Sequence, residues 1–207
     1  MFQNYSPNML KTFEQCPKKF YLKYVKNISM PTNDEIFELG KNIHAMASYY
    51  LRKENIHKME NSLSEREKLI WEYLKEIKYF GFETVNTEYN LMVKIQNTFF
   101  GGRLDALVKE NNKYYILDYK TGSAPKNAKY DYQTIIYLLA VRAFFKTNNV
   151  VFVYLDLKNK TETIIELTTD LIKEYESKLL DIVKRIETEE FISKQKECKC
   201  EYKIICY

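Results

Sequence analysis

Two apolar segments in the middle of the chain each carry an aspartate, and a short polar turn separates them. The first segment ends in Gly101-Gly102-Arg103-Leu104-Asp105, and the second contains Ile116-Leu117-Asp118-Tyr119-Lys120. The turn Glu110-Asn111-Asn112-Lys113 predicts an antiparallel hairpin that brings the two aspartates together. Because side chains alternate along a strand, Asp118 and Lys120 should lie on one face. Two neighbouring carboxylates repel each other unless a cation lies between them, so the hairpin predicts a cation site.

The length and composition suit one globular domain. The chain has 207 residues, of which 45% are hydrophobic, and this is enough for a sizeable core. Its net charge of +4 is only mildly basic, so the total charge does not by itself identify a nucleic-acid partner. No stretch approaches the ~20 apolar residues of a membrane span, and the polar start Met1-Phe2-Gln3-Asn4 lacks a signal-peptide core. We therefore expect a cytoplasmic protein with no membrane partner.

Capping signals predict three helices in the first part of the chain. Ser6-Pro7 is an N-cap followed by a first-turn proline and predicts a helix that continues to about Tyr24. Capping boxes predict two further helices with N-caps at Thr32 and Ser64, the second of which runs through Tyr79.

From Thr87 onward the hydrophobic pattern alternates with the period of a strand. A strand from Thr87 would precede the Asp105 strand, so three antiparallel strands are expected. Further along, the pattern predicts a helix, two strands and a last helix, at about 127–146, 150–157, 161–167 and 170–190. The sequence therefore predicts an α/β protein with a central sheet flanked by helices.

Asp105 followed by Asp118-x-Lys120 resembles the PD-(D/E)xK nuclease superfamily. The flanking residues resemble its RecB-like branch, which includes the iron-sulfur CRISPR-associated adaptation exonucleases. Nearly the whole chain takes part in the resemblance. One departure is that the second acidic position, often glutamate in the family, is Asp118, a shorter arm that still ligates a metal. The resemblance implies a restriction-endonuclease-like mixed sheet in one domain, with a helical subregion over 1–85, a nuclease core over 86–190 and a cysteine-bearing tail over 191–207.

The resemblance also implies a set of metal ligands. His44, in Gly40-Lys41-Asn42-Ile43-His44, would provide an imidazole beside the carboxylates of Asp105 and Asp118 and the backbone carbonyl of Tyr119. Hard oxygen ligands suit Mg²⁺ or Mn²⁺, and one imidazole shifts the preference toward Mn²⁺. A divalent cation of this kind makes water nucleophilic near neutral pH and stabilises charge on a phosphate.

Lys120 would orient or deprotonate the attacking water and neutralise charge in the transition state. Gln133 and Tyr137 lie four residues apart on one predicted helix face and, by resemblance, support Lys120 or the DNA backbone. They could equally be ordinary packing residues. Glu88 could be a further acidic group. An isolated Asp-x-Lys pair is usually a surface ion pair, so the catalytic interpretation depends on the whole constellation.

Four cysteines lie near the two ends of the chain: Cys16, in Cys16-Pro17-Lys18-Lys19-Phe20, and Cys198, Cys200 and Cys206. Disulfides are disfavoured in a cytosolic protein, whereas four thiolates suit a [4Fe-4S] cluster or a structural Zn²⁺. The iron-sulfur nucleases of the RecB-like branch also place one cysteine before the core and three after it. The single residue between Cys198 and Cys200 departs from the usual two. We expect a [4Fe-4S] cluster, with zinc and unligated thiols as the alternatives.

A basic cluster accompanies the first cysteine. Its members are four lysines with three aromatic residues between them: Lys18, Lys19, Lys23, Lys26, Phe20, Tyr21 and Tyr24. Such a cluster suits phosphate contacts and base stacking, or it is a solvated helix face.

The sequence thus predicts a metal-dependent DNA nuclease, an exonuclease on single strands or duplex ends that serves DNA repair, recombination or CRISPR adaptation. Its expected partners are DNA and the proteins of those pathways. The alternative is a non-catalytic nucleic-acid-binding or assembly subunit, which loss of Asp105, Asp118 or Lys120 would favour. A third possibility is a purely structural iron-sulfur protein. A Walker-type loop is absent, so no helicase activity is expected.

Overall fold

The computed structural model describes residues 2, 4–30, 35–193 and 200–206, with backbone alone for 35–39. Six strands form one mixed sheet, and helices cover both of its faces, which confirms the predicted α/β class. The strands are β1 (Asn4–Tyr5), β2 (Glu83–Ile95), β3 (Thr98–Glu110), β4 (Lys113–Lys120), β5 (Val150–Asp156) and β6 (Thr161–Glu166). The helices are α1 (Pro7–Gln15), α2 (Pro17–Phe20), α3 (Glu35–Leu51), α4 (His57–Ser62), α5 (Glu65–Glu76), α6 (Tyr132–Phe145) and α7 (Thr169–Thr188).

Strands β2, β3 and β4 pair antiparallel in chain order, as the sequence predicts. The turn between β3 and β4 has positive φ at both Asn111 and Asn112, 48° and 61°, a backbone conformation that asparagine tolerates well. Helix α6 crosses from β4 to β5, which pair in parallel, and β6 then pairs antiparallel with β5. Strand β1 pairs in parallel with β3, a contact that the sequence did not predict.

Two hydrophobic cores sandwich the sheet. One face packs against α1, α6 and α7, and the opposite face packs against α3 and α5. All seven residues of β5 are buried, and they alternate between the two cores: Phe152 and Tyr154 face α6, whereas Val151 and Val153 face the other side. Burying a side chain of this size contributes roughly 1.5–3 kcal/mol, so the central strands hold the frame rigid.

Two predicted helices have different bounds in the structure. The helix predicted to run to Tyr24 breaks at Cys16, whose φ of −158° is extended, because the residue before a proline is disfavoured in the helical region. Helix α2 and one π-helical turn, Tyr21–Val25, follow the break. The Ser64 capping box is confirmed, but α5 ends at Glu76, before a 3₁₀ turn. The predicted N-cap Thr32 lies outside the described residues.

Strand β2 begins at Glu83, four residues before the predicted start. Helix α6 begins at Tyr132 rather than near 127, because the side chain of Asp131 caps it and a short 3₁₀ turn precedes that cap. None of the described helices combines the length and apolarity needed to cross a membrane.

Candidate active site

The site lies where β3 and β4 separate. Their ladder ends at the pair Ala106 and Leu117, and Asp105 and Asp118 are the next residues on each strand. Beyond this point the backbone N–H of Tyr119 has lost its ladder partner, and it donates instead to Asp105 Oδ2 at 2.9 Å. The fork therefore brings the two aspartates close together, as the hairpin prediction required.

Asp118 is held in a closed ring with Lys120 and Gln133. Lys120 Nζ lies 2.7 Å from Asp118 Oδ2 and donates to Gln133 Oε1 at 3.1 Å. Gln133 Nε2 completes the ring by donating to Asp118 Oδ1. Gln133 occupies the first turn of α6, where Asp131 accepts its backbone N–H at 2.9 Å and fixes the helix start. The predicted common face of Asp118 and Lys120 is the face that packs toward α6.

The electrostatics of Asp118 follow from its burial, since its side chain is only 3% exposed. Burial and the negative charge of Asp105 raise the pKa of Asp118 to about 7, although Lys120 and His44 lower it. Oδ2 has the Lys120 ammonium beside it but accepts no hydrogen bond of good geometry. A cation near this carboxylate would therefore compensate a negative charge that the protein's own groups neutralise only in part.

His44 approaches the fork from α3, on the face of the sheet opposite α6. Its Nε2 lies 3.0 Å from the carbonyl oxygen of Tyr119, and its Nδ1 lies 3.3 Å from Asp105 Oδ1. Burial lowers the pKa of His44, but the hydrogen bond to Asp105 and the charges of Asp105 and Asp118 outweigh it and raise that pKa. His44, Asp105 and the Tyr119 carbonyl, all expected metal ligands, thus lie in direct contact.

Glu88 on β2 is a further acidic residue of this cleft. Ligand atoms of His44, Glu88 and Asp105 all lie within 4.8 Å of one another, and these three form the only such group of possible metal ligands in the described part of the chain. The cleft that they help to line measures about 690 Å³. Asp118 is outside this group, with both of its oxygens in contact with Lys120 and Gln133. The sequence argument gave Glu88 little weight, although the register of the β2–β3 hairpin could have identified it.

Tyr137 supports the site from α6 without reaching its polar groups directly. Its hydroxyl donates to the carbonyl oxygen of Arg103 at 2.8 Å, which fixes β3 just before Asp105. A Cβ on Gly102 would lie 2.8 Å from that hydroxyl oxygen, so glycine permits the close approach. The side chain is 4% exposed and belongs to the hydrophobic core, and its hydroxyl bond holds β3 in position.

The described C-terminal residues pack on the segment that follows Cys16. The backbone N–H of Lys18 donates to Ile192 O at 3.3 Å, and Tyr202 donates to Ile28 O at 2.8 Å. Cys16, Cys200 and Cys206 are half-buried and form no disulfide with one another. Cys198 lies outside the described residues.

The basic cluster contributes to the same contact. Lys19 forms an ion pair with Glu201 at 3.1 Å, and the ring of Tyr21 stacks on Phe191. Part of the cluster therefore binds the tail, whereas Lys23 lies over the ring of Tyr24.

Comparison with known proteins gives a consistent result. The sequence profile described as the PD-(D/E)XK nuclease superfamily matches residues 4–79 and 59–207. The chain is 24% identical over 204 residues to the CRISPR-associated exonuclease Cas4 of Francisella tularensis subsp. novicida (strain U112), covering 96% of this chain and 91% of that protein. A crystal structure of an exonuclease candidate from Eubacterium rectale matches with a TM-score of 0.60 at 14% identity, covering 96% of this chain and 86% of that one. At that identity the structural likeness shows a shared fold, which confirms the predicted architecture.

Proposed function

The chain belongs to the PD-(D/E)XK nuclease superfamily, and we propose that it is a divalent-metal-dependent deoxyribonuclease. The observation that carries the proposal is the fork between β3 and β4, where Asp105, His44 and the Tyr119 carbonyl meet the Asp118–Lys120 pair. The similarity to a protein named as a CRISPR-associated exonuclease supports exonuclease activity, and we propose single strands or DNA ends as the substrates. It also makes CRISPR adaptation the first pathway to test, before DNA repair and recombination.

The residues at the fork fit a hard divalent cation. Two carboxylates, one backbone carbonyl and one imidazole are ligands that Mg²⁺ and Mn²⁺ accept, and the imidazole favours Mn²⁺. His44, Asp105, Asp118 and the Tyr119 carbonyl would hold the ion. When bound, the ion would supply positive charge to the phosphate and make water nucleophilic near neutral pH.

The protein's own groups position the remaining chemistry. Asp118 and Gln133 fix the Lys120 ammonium at 2.7 and 3.1 Å, so its direction is set before substrate binds. The Lys120 side chain is 27% exposed, so solvent can reach it. It orients the attacking water and places positive charge beside the phosphate in the transition state. Tyr137 and Gly102 keep β3 in register behind Asp105.

We further propose that Cys16, Cys198, Cys200 and Cys206 hold a [4Fe-4S] cluster, with zinc as the alternative occupant. The packing of the tail against the segment after Cys16 supports this proposal, because it brings the two cysteine-bearing segments to one part of the surface. The cluster would tie the chain ends together and stabilise the fold without entering the hydrolytic chemistry. Iron and zinc analysis of anaerobically purified protein, beside Cys16→Ser, distinguishes the two occupants.

The decisive experiment for the nuclease is cleavage of end-labelled single-stranded and duplex DNA with Mg²⁺, Mn²⁺ or EDTA. Cleavage should need metal and should be lost in Asp118→Ala and Lys120→Ala. Lys113→Ala is the matched control, because Lys113 begins the same strand and pairs at the surface with Glu166. Folded wild-type protein that binds DNA and cleaves none of these substrates would instead favour a non-catalytic binding subunit.

A further inference from the structure

Glu88 and Asp105 lie between two paired positions of the β2–β3 ladder. Thr87 pairs with Ala106 and Tyr89 pairs with Leu104, so the register places the intervening residues, Glu88 and Asp105, across from each other. Like charges in directly opposed positions destabilise a sheet. Two carboxylates in this arrangement therefore need a compensating positive group.

The backbone of Glu88 has an unusual conformation for the interior of a strand. Its φ is +49°, in the left-handed region that side chains other than glycine and asparagine rarely adopt. Neighbouring contacts hold it there: the hydroxyl of Ser48 on α3 donates to Thr87 Oγ1 at 2.8 Å, and Asn86 Oδ1 accepts the Thr87 N–H at 2.9 Å. Strained conformations persist when the surrounding structure determines them, and they concentrate at functional sites.

The present partner of Glu88 is replaceable. Arg103 Nε lies 2.9 Å from Glu88 Oε2, but the Arg103 side chain is 64% exposed. Exposed ion pairs of this kind contribute little free energy. Glu88 can therefore exchange Arg103 for another positive partner at little cost. A divalent ion held by His44 and Asp105 would be such a partner, because a Glu88 oxygen lies within 4.8 Å of ligand atoms on both.

We propose that Glu88 is a ligand of the divalent cation together with His44 and Asp105, and that Arg103 is its counter-ion only in the metal-free protein. Cation binding then releases the Arg103 guanidinium. Arg103 lines the same cleft as Glu88, so the released side chain can contact a phosphate of the substrate. This inference rests on the proposed function, since it assigns a further residue to the same metal centre.

Mn²⁺ binding to the full chain without DNA tests the proposal, by calorimetry and by the electron paramagnetic resonance signal of free Mn²⁺. We expect Glu88→Gln to weaken binding by about tenfold or more. Arg103→Met should tighten it by up to about fivefold, because it frees the carboxylate from a weak ion pair. The double variant should bind like Glu88→Gln. Glu83→Gln, which removes the same charge from an exposed position on the same strand, should bind like wild type.

The outcomes separate this proposal from the proposed function. Wild-type affinity in folded Glu88→Gln, with binding lost in Asp105→Asn, would overturn the role of Glu88 and leave the metal centre intact. Unchanged binding in Asp105→Asn as well would overturn the metal centre itself. Should Glu88→Gln fail to show a native thermal transition, Arg103→Met decides, since weaker Mn²⁺ binding in that variant contradicts a competing ion pair.

Discussion

Asp118→Asn should stabilise the metal-free protein at pH 8 while it inactivates the proposed nuclease. The carboxylate of Asp118 is buried, and the charge of Asp105 nearby further disfavours its ionisation. The amide of asparagine has nearly the same shape and carries no charge. It can also keep accepting the hydrogen bond from Gln133 on its oxygen. The substitution therefore removes an unfavourable charge from the folded state.

The size of the effect follows from the pKa of Asp118, which rises from 3.8 to about 7 on folding. That difference spans roughly three pH units, and each is worth about 1.36 kcal/mol, so the charged form costs the fold about 4 kcal/mol. Well below pH 3.8 the carboxyl is neutral in both states and costs nothing. Between pH 4 and pH 7 the unfolded chain ionises first, so wild-type stability falls relative to the variant. Above pH 7 the variant keeps its full advantage of about 4 kcal/mol in free energy of unfolding.

Urea denaturation in EDTA, followed by the fluorescence of the buried Trp71, measures this difference at pH 4.5, 6, 7 and 8. The gap in free energy of unfolding between Asp118→Asn and wild type should widen from about 1 kcal/mol at pH 4.5 to about 4 kcal/mol at pH 8. Saturating Mg²⁺ or Mn²⁺ at pH 8 should narrow the gap, because the ion stabilises the folded wild type in proportion to its affinity.

Asp156→Asn is the matched control with the opposite sign. Asp156 lies on β5, opposite Lys120 in the parallel ladder. Burial raises its pKa, but hydrogen bonds from Asn159 and Lys158 outweigh burial and hold the pKa below its ordinary value. Its charge therefore adds stability above the unfolded pKa of 3.8, which is lost as pH falls through the lower folded pKa. Asp156→Asn should destabilise the protein at pH 8 by about 1–3 kcal/mol.

A gap between Asp118→Asn and wild type that stays constant from pH 4.5 to pH 8 would refute the reasoning, because only an ionising group gives a pH-dependent gap. Destabilisation by Asp118→Asn at pH 8 would refute it as well. That result would mean that attraction to Lys120 exceeds the cost of burial.

Three further substitutions test other parts of the site. Lys120→Met should abolish cleavage in the end-labelled DNA assay while the chain still folds, and it should raise the pKa of the neighbouring aspartate further, which the pH series above would detect. Tyr119→Phe should leave stability unchanged or raise it by about 1 kcal/mol in thermal denaturation, because the hydroxyl is buried without a hydrogen-bond partner and phenylalanine keeps the ring that packs against His44. Gly101→Ala should cost about 1–3 kcal/mol in urea denaturation, because the new Cβ would lie 2.6 Å from the Leu91 carbonyl oxygen. Gly81→Ala, with no atom within 4 Å of the new Cβ, should show no such loss.

Local patterns in the sequence predicted most of the elements and half of the site. The Asn111-Asn112 turn predicted the hairpin, and strand alternation predicted the common face of Asp118 and Lys120, which the 2.7 Å contact confirms. The Ser64 capping box predicted the start of α5. Each of these features depends on backbone geometry within a few residues, so the sequence alone contains the necessary information.

Other features escaped because they depend on distant parts of the chain. Strand β1 is two residues long and exists only through its pairing with β3. The target of Tyr137, the carbonyl of Arg103, follows from the packing of α6 on the sheet. The break at Cys16 was missed for a different, local reason: Cys16 fell inside a helical pattern, and the conformational effect of the following proline separates α1 from α2.

The sequence by itself determined which candidate ligands are present and that Asp118 and Lys120 share one face of a strand, because these follow from residue type and alternation. Only the tertiary structure decided that Asp118 is buried, that Glu88 stands opposite Asp105 and that His44 crosses from α3 to Tyr119. The energy of a charge depends on its burial and on the charges around it, and packing between distant segments sets both. The candidate residues of the site can therefore be identified from the sequence, whereas the energies of their charges depend on the tertiary structure.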